Sequence, residues 1–172
     1  MSEPPSVVNG LLARALLAVL VLPGVVAFLV PLLLLAPRGP GSFVSSLGVI
    51  PLGLGIIVLI WCVREFYVAG RGTLAPWAPP QKLVVSGLYH VSRNPMYVGV
   101  LLILGGWALG FRSWRLAAYA FVVMIAFHLR VVLHEEPWLA RKHGEEWMNY
   151  KAHVPRWFGV SHRLGHRNRG VG

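Results

Sequence analysis

Two long stretches without a single charge limit what this chain can fold into. Ala15 to Ala36 supplies 22 uncharged residues, mostly Leu, Val and Ala, and Phe43 to Val63 supplies 21 more, rich in Leu, Ile, Val and Gly. A helix crosses the hydrocarbon core of a bilayer in about 20 residues, so both stretches predict transmembrane spans. Pro23 and Pro31 predict kinks in the first span, which a membrane helix tolerates when neighbours satisfy the freed carbonyls. Composition agrees: 56% of the residues are hydrophobic and only 13% charged, too apolar for a water-soluble domain of this size. The start, MSEPPSVVNG, has an acidic residue, two prolines and no basic stretch, and predicts no cleaved signal peptide.

Two further apolar segments follow. Pro95 to Phe111 has 17 residues, about 26 Å of helix at about 1.5 Å per residue, enough to span only with snorkelling flanks or a thin local bilayer. Trp114 to Leu133 makes a fourth span, with Arg115 and Arg130 near its ends, where long stems carry charge toward the headgroups. Four spans put both termini and the middle loop on one side. Thirteen of the 16 Lys and Arg residues fall on that side, and only Arg38, Arg112 and Arg115 fall opposite. By the positive-inside rule that side is cytoplasmic. The formal charge of +10 therefore reads as topology and contact with membrane lipids rather than as a nucleic-acid footprint. Cys62, the one cysteine, rules out an internal disulfide and a thiolate cluster.

The fold class expected is all-α, a polytopic integral membrane bundle of about four transmembrane helices plus a cytoplasmic amphipathic C-terminal helix. Leu139, Trp147, Tyr150 and Val154 share one face of that last helix, with i,i+4 spacing of Arg141 with Glu145 and of Lys142 with Glu146, and Gly144 weakening it. Three regions follow: a two-span part over 1–63, a core over 64–158 and a basic tail over 159–172. His162 and His166 in the tail have i,i+4 spacing, but a basic tail is a poor metal site, and no metal is expected. His128, inside the fourth span, predicts an interhelical hydrogen bond or a place on a cavity wall. Tyr67 and Trp77 of the middle loop are candidates to line a lipid entrance.

Two polar constellations stand out. Glu135 and Glu136 are adjacent at the end of the fourth span, just before Pro137. A residue before proline is pushed out of the helical region, which predicts a bend and a local negative site beside Arg130 and His134. Their ordinary structural role would be to favour the positive end of the next helix. Their functional role would be to bind a cation or vicinal hydroxyls. The second constellation runs from Gly87 to Gly99. There Asn94 is placed to cap a helix that Pro95 begins, and free backbone N–H groups at a helix start attract an anion. A capped helix with an interfacial tyrosine belt explains the same residues without a ligand.

The run GTLAPWAPPQKLVVSGLYHVSRNPMYVG, followed by RVVLHEEPWLARKHGEEWMNYKAHVPRWF, resembles the isoprenylcysteine carboxyl methyltransferase-like family, which is related to the phospholipid methyltransferases. The likeness covers roughly residues 64 to 158 in order and spacing. It implies an integral-membrane methyltransferase that uses S-adenosylmethionine, held at the cytosolic ends of the last spans. Arg93-Asn94-Pro95-Met96-Tyr97 matches the family's Arg-His-Pro-x-Tyr cofactor motif, and Glu135-Glu136 matches its paired glutamates. Asn94 departs from the commoner histidine; it donates and accepts hydrogen bonds but takes up no proton near neutral pH.

The resemblance makes Tyr89, Arg93, Asn94, Pro95, Tyr97, Glu135 and Glu136 the candidate cofactor residues and Arg130 and Glu136 the candidate catalytic ones. Glu135 or Glu136 would hold the ribose or cationic groups, Arg130 would orient an anionic acceptor, and Tyr89 and Tyr97 would pack on the cofactor. Tyr150 and Trp157 would close the site by packing, and Arg156 belongs to the same tail. Methyl transfer from a sulfonium needs alignment and exclusion of water rather than a protein nucleophile. The acceptor expected is a lipophilic group, with a carboxylate such as that of a prenylated cysteine or a related small lipid favoured and a phospholipid amine or a small thiol left open. The alternatives are an NADPH-dependent membrane reductase of the steroid-reductase type and a non-catalytic lipid-binding scaffold. Oligomeric state is not legible in the sequence.

Overall fold

The computed structural model describes residues 20–36, 45–68 and 83–158. The start of the first expected span, Trp77 and the rest of 69–82, and the basic tail with His162 and His166 lie outside these residues, as does the side chain of Tyr67. The described residues are helical with no strand. A π-helical stretch, Leu20–Leu29, runs into α1 (Val30–Leu35). A short turn, Ser46–Gly48, opens α2 (Val49–Val68). A 3-10 turn at Gly87–His90 precedes α3 (Pro95–Gly110) and α4 (Trp114–Arg130). A π turn, Val131–Glu135, then joins α4 to α5 (Glu136–His153).

Two of the helical runs, Ser46–Glu65 and Trp114–His153, are long and apolar enough to cross a membrane. Pro23–Leu35 and Pro95–Gly110 are apolar but shorter. Ile60 is 64% exposed and Val122 62%, and such uncovered aliphatic faces suit lipid rather than water. The buried centre is small: Ala27, Leu59, Val100, Ile103, Leu104 and Val123. The Tyr119 hydroxyl donates to the Val26 carbonyl at 3.0 Å and ties α4 to the first helical stretch.

The most extensive interface lies between α2 and α3, and glycine makes it possible. A Cβ at Gly55 would come within 2.5 Å of the Gly99 carbonyl oxygen, and one at Gly106 within 2.7 Å of the Leu52 backbone nitrogen. Without side chains at these positions the two backbones approach closely, the packing mode that substitutes for a hydrophobic drive between helices in lipid. This interface fixes α3, whose start at Pro95 to Tyr97 follows directly on Arg93 and Asn94.

The departure from helical geometry expected before Pro137 is absent. Glu136 is helical (φ −62°, ψ −43°), and helical backbone continues from α4 through the π turn into α5. Proline removes a donor and crowds the carbonyl four residues back. The π turn just before it has already widened the bonding ladder, which makes room for the ring. The real interruption comes at Gly144, whose φ of +52° is a left-handed conformation that glycine tolerates. No Arg141–Glu145 ion pair forms across that break. The expected amphipathic face does pack: Trp147, Tyr150 and Val154 are buried against Leu83, Val85 and Leu139.

Candidate methyl-donor site and lipid groove

The turn before α3 is held by the segment that follows α5. Arg93 N–H donates to the Pro155 carbonyl at 2.9 Å, and the Ser92 hydroxyl and the Asn94 side-chain amide both donate to the Arg156 carbonyl, at 3.3 and 3.0 Å. The capping role expected of Asn94 is therefore not the one observed. Asn94 sits at the cap position with ψ 49° and its side chain makes no cap bond; its amide nitrogen donates instead to the Arg156 carbonyl. Pro95 starts the helix as anticipated.

This clamp brings Arg93 and Arg156 onto Glu136. The Arg93 guanidinium donates to Glu136 Oε1 at 3.0 Å, while Arg156 donates through Nε to Oε1 at 2.7 Å and through its terminal nitrogen to Oε2 at 2.9 Å. The side chains of Arg93 and Glu136 are only 8% and 10% exposed. Burial alone would raise the Glu136 pKa; the hydrogen-bonded Arg156 and the charge of Arg93 outweigh it and hold the carboxyl below its ordinary value. Burial lowers the Arg93 pKa against the opposing pull of Glu136. The Arg93 guanidinium also lies 5.5 Å from the centre of the Trp147 ring.

Glu135 belongs to a second, more open group. The Tyr97 hydroxyl donates to its Oε1, and Arg130 Nε donates to the same oxygen at 2.8 Å and to the Tyr97 hydroxyl at 3.2 Å. Tyr97 stacks on Phe127 with ring centres 4.4 Å apart. The two carboxylates face three guanidiniums, so the expected negative site is instead net positive. Side chains distant in sequence supply the charge that the adjacent glutamates conceal.

Seven of the eight expected site residues, Arg93, Asn94, Pro95, Tyr97, Arg130, Glu135 and Glu136, come together here. Tyr89 does not: its ring is buried with Cys62 and Val84, and its carbonyl accepts from the Tyr150 hydroxyl at 2.7 Å. Sequence reasoning gave Arg156 no role, although it is the main partner of Glu136; a basic residue between Pro155 and Trp157 was the available signal. It also passed over Glu65, a buried carboxylate at the end of α2 that accepts from the Ser86 hydroxyl at 2.6 Å. An acidic residue closing an apolar run is a signal in itself.

Beside the polar cluster lies an apolar groove of about 540 Å³ between α3 and α4. Val98 and Leu101 line it from α3, Ile125 and Leu129 from α4, and Trp157 and Phe158 from the segment after α5. His128 is part of its wall, as the cavity reading of that residue anticipated, and Trp157 Nε1 donates to His128 Nδ1 at 3.3 Å. The Trp157 ring also lies 6.5 Å from that of Tyr97, so one indole borders both the groove and the polar cluster.

A model of phospholipid methyltransferases matches residues 43–146. The chain belongs to that family. Membership indicates a membrane methyltransferase that uses S-adenosylmethionine and acts on lipid, and it favours the transferase over the reductase alternative. The matched stretch contains α2, α3, α4 and the glutamate pair, and it ends before Arg156 and Trp157. Neither the curated proteins nor the solved structures compared with the chain include a match.

Proposed function

We propose that the chain binds S-adenosylmethionine at the cluster of Arg93, Asn94, Tyr97, Glu135 and Glu136 and transfers its methyl group to a lipophilic acceptor seated in the groove. The observation that carries this reading is the shared wall: Trp157 borders the polar cluster on one side and the apolar groove on the other. A polar donor and a lipid acceptor need that adjacency in order to meet.

The residues present suit the cofactor. Buried Arg93 Nε has no hydrogen-bond partner among the described residues, which suits a carboxylate. The second oxygen of Glu135 is likewise unused there and suits ribose hydroxyls or an ammonium. Glu136 is saturated by Arg93 and Arg156, so its part is to position those two guanidiniums. The cofactor supplies an electrophilic methyl on a sulfonium. The chain aligns donor and acceptor beside the half-buried Trp157 and offers Arg130, whose side chain is 56% exposed, to an anionic acceptor.

The acceptor we favour is a carboxylate, such as that of a prenylated cysteine or a related small lipid. With S-adenosylmethionine held by Arg93, Tyr97 and Glu135, its sulfonium would supply the methyl group and an anionic oxygen oriented by Arg130 would accept it. Opposite charges cancel in that step, which a site beside lipid favours over separated ions. The thirteen-to-three split of basic residues supports an active site on the cytoplasmic face of a multi-pass protein.

Calorimetry on the purified chain tests the reading. S-adenosylhomocysteine should bind, and Glu136→Ala should weaken the binding; no heat from well-folded protein refutes it. Labelled methyl donor supplied to membranes that contain the protein, followed by lipid extraction, identifies the product.

A further inference from the structure

The groove wall holds one polar residue in a defined chemical state. An indole N–H can only donate, so the Trp157 bond at 3.3 Å requires a lone pair on His128 Nδ1. In the neutral ring the proton then resides on Nε2; a proton on Nδ1 would set two donors against each other. No described residue accepts from Nε2. An apolar wall, with Leu101, Ile125 and Leu129 among its residues, therefore includes, besides the Trp157 N–H spent on His128, one further side-chain N–H donor, His128 Nε2.

The structure assigns His128 as the headgroup-reading residue of the groove: its Nε2–H donates to an anionic oxygen of a lipid whose chain lies between α3 and α4, and Trp157 fixes the tautomer that permits this. That this lipid is the methyl acceptor rests on the function proposed above. A ring already protonated at Nε2 cannot remove a proton through that atom, so it does not serve as base for an ammonium headgroup. A lipid that arrives already anionic needs no such step. The surplus of guanidiniums beyond Trp157, from Arg93, Arg130 and Arg156, favours the same sign of charge. Carboxylate and phosphate share this chemistry.

The test uses the full chain in detergent, with and without S-adenosylhomocysteine, and three probes: palmitate, hexadecanol and phosphatidic acid. A hydrogen bond to a charged group supports a preference of about tenfold for an anionic probe over the alcohol. His128→Leu should abolish the preference, and His128→Gln, whose amide nitrogen stands near the place of Nε2, should retain most of it. Affinity for S-adenosylhomocysteine should not move in either variant. Tighter palmitate assigns the carboxylate, and tighter phosphatidic acid assigns the phosphate. Equal binding of all three probes by the unaltered chain, or a preference that survives His128→Leu, overturns the inference. A nitrogen NMR spectrum of the unaltered chain adds an independent check: a His128 proton on Nδ1 instead of Nε2 also overturns it. A chain that prefers anionic probes but never binds S-adenosylhomocysteine would keep the headgroup reading and refute the methyltransferase one.

Discussion

Replacing Glu136 by glutamine removes one charge from a buried triad and changes little else. The side chains of Arg93 and Glu136 are 8% and 10% exposed, so Arg93 would be left in the interior without its counter-charge. Breaking a buried pair in this way costs about 3–5 kcal/mol. The amide still accepts a hydrogen bond, and Arg156, with 32% of its side chain exposed, relaxes toward solvent, so we expect about 2–4 kcal/mol. Glu135→Gln is the control. Its partner Arg130 is 56% exposed, and such a pair is worth about 1 kcal/mol or less.

Unfolding in detergent, followed by tryptophan fluorescence, measures both variants, with Trp147 beside Arg93 as a local reporter. The pH dependence has a definite sign. The folded-state pKa of Glu136 is depressed, so its contribution is present above the ordinary carboxylate value of 4.5 and drains away as pH falls through the lower folded value. Glu136→Gln should flatten that acid limb. Equal losses in the two variants, or an unchanged acid limb, would refute the buried-triad reasoning.

Three other outcomes are expected. Gly106→Val should force α2 and α3 apart and destabilise the chain by about 1–3 kcal/mol, whereas Gly105→Ala, where a Cβ meets nothing within 4 Å, should be neutral or slightly stabilising; unfolding curves compare the two. Tyr97→Phe deletes the hydroxyl shared by Glu135 and Arg130 and should weaken S-adenosylhomocysteine binding several-fold in calorimetry while stability changes by about 1 kcal/mol or less. Asn94→Ala frees the Arg156 carbonyl from one of its two donors; limited proteolysis should then cut the segment from Val154 to Phe158 faster, and an unchanged rate would argue that Ser92 and Arg93 hold it alone.

Much of the site was legible in the residues because its motifs are local. Arg93 to Tyr97 form one turn, and Glu135 and Glu136 are neighbours, so each half could be recognised separately. Proline at the start of α3 followed its usual rule. The non-helical geometry expected at Glu136 failed because a π turn accommodates the proline, and no propensity of Val131–Glu135 announces that turn. The cap at Asn94 is not seen; its side chain is turned so that the amide nitrogen donates to a carbonyl 62 residues away, a contact no local pattern encodes.

The amino-acid sequence by itself determined that the chain is apolar and helical, that its basic residues gather at the ends of apolar runs, and which short motifs resemble those of membrane methyltransferases. Those properties depend on composition and on spacing within one or two turns. Only the tertiary structure decided that Glu136 is claimed by two arginines, 43 and 20 positions away, that the site is net positive, and that Trp157 joins a polar cluster to an apolar groove. Ion pairing and groove shape depend on which helices touch, and glycine gaps between α2 and α3 set that contact at distances no local pattern encodes.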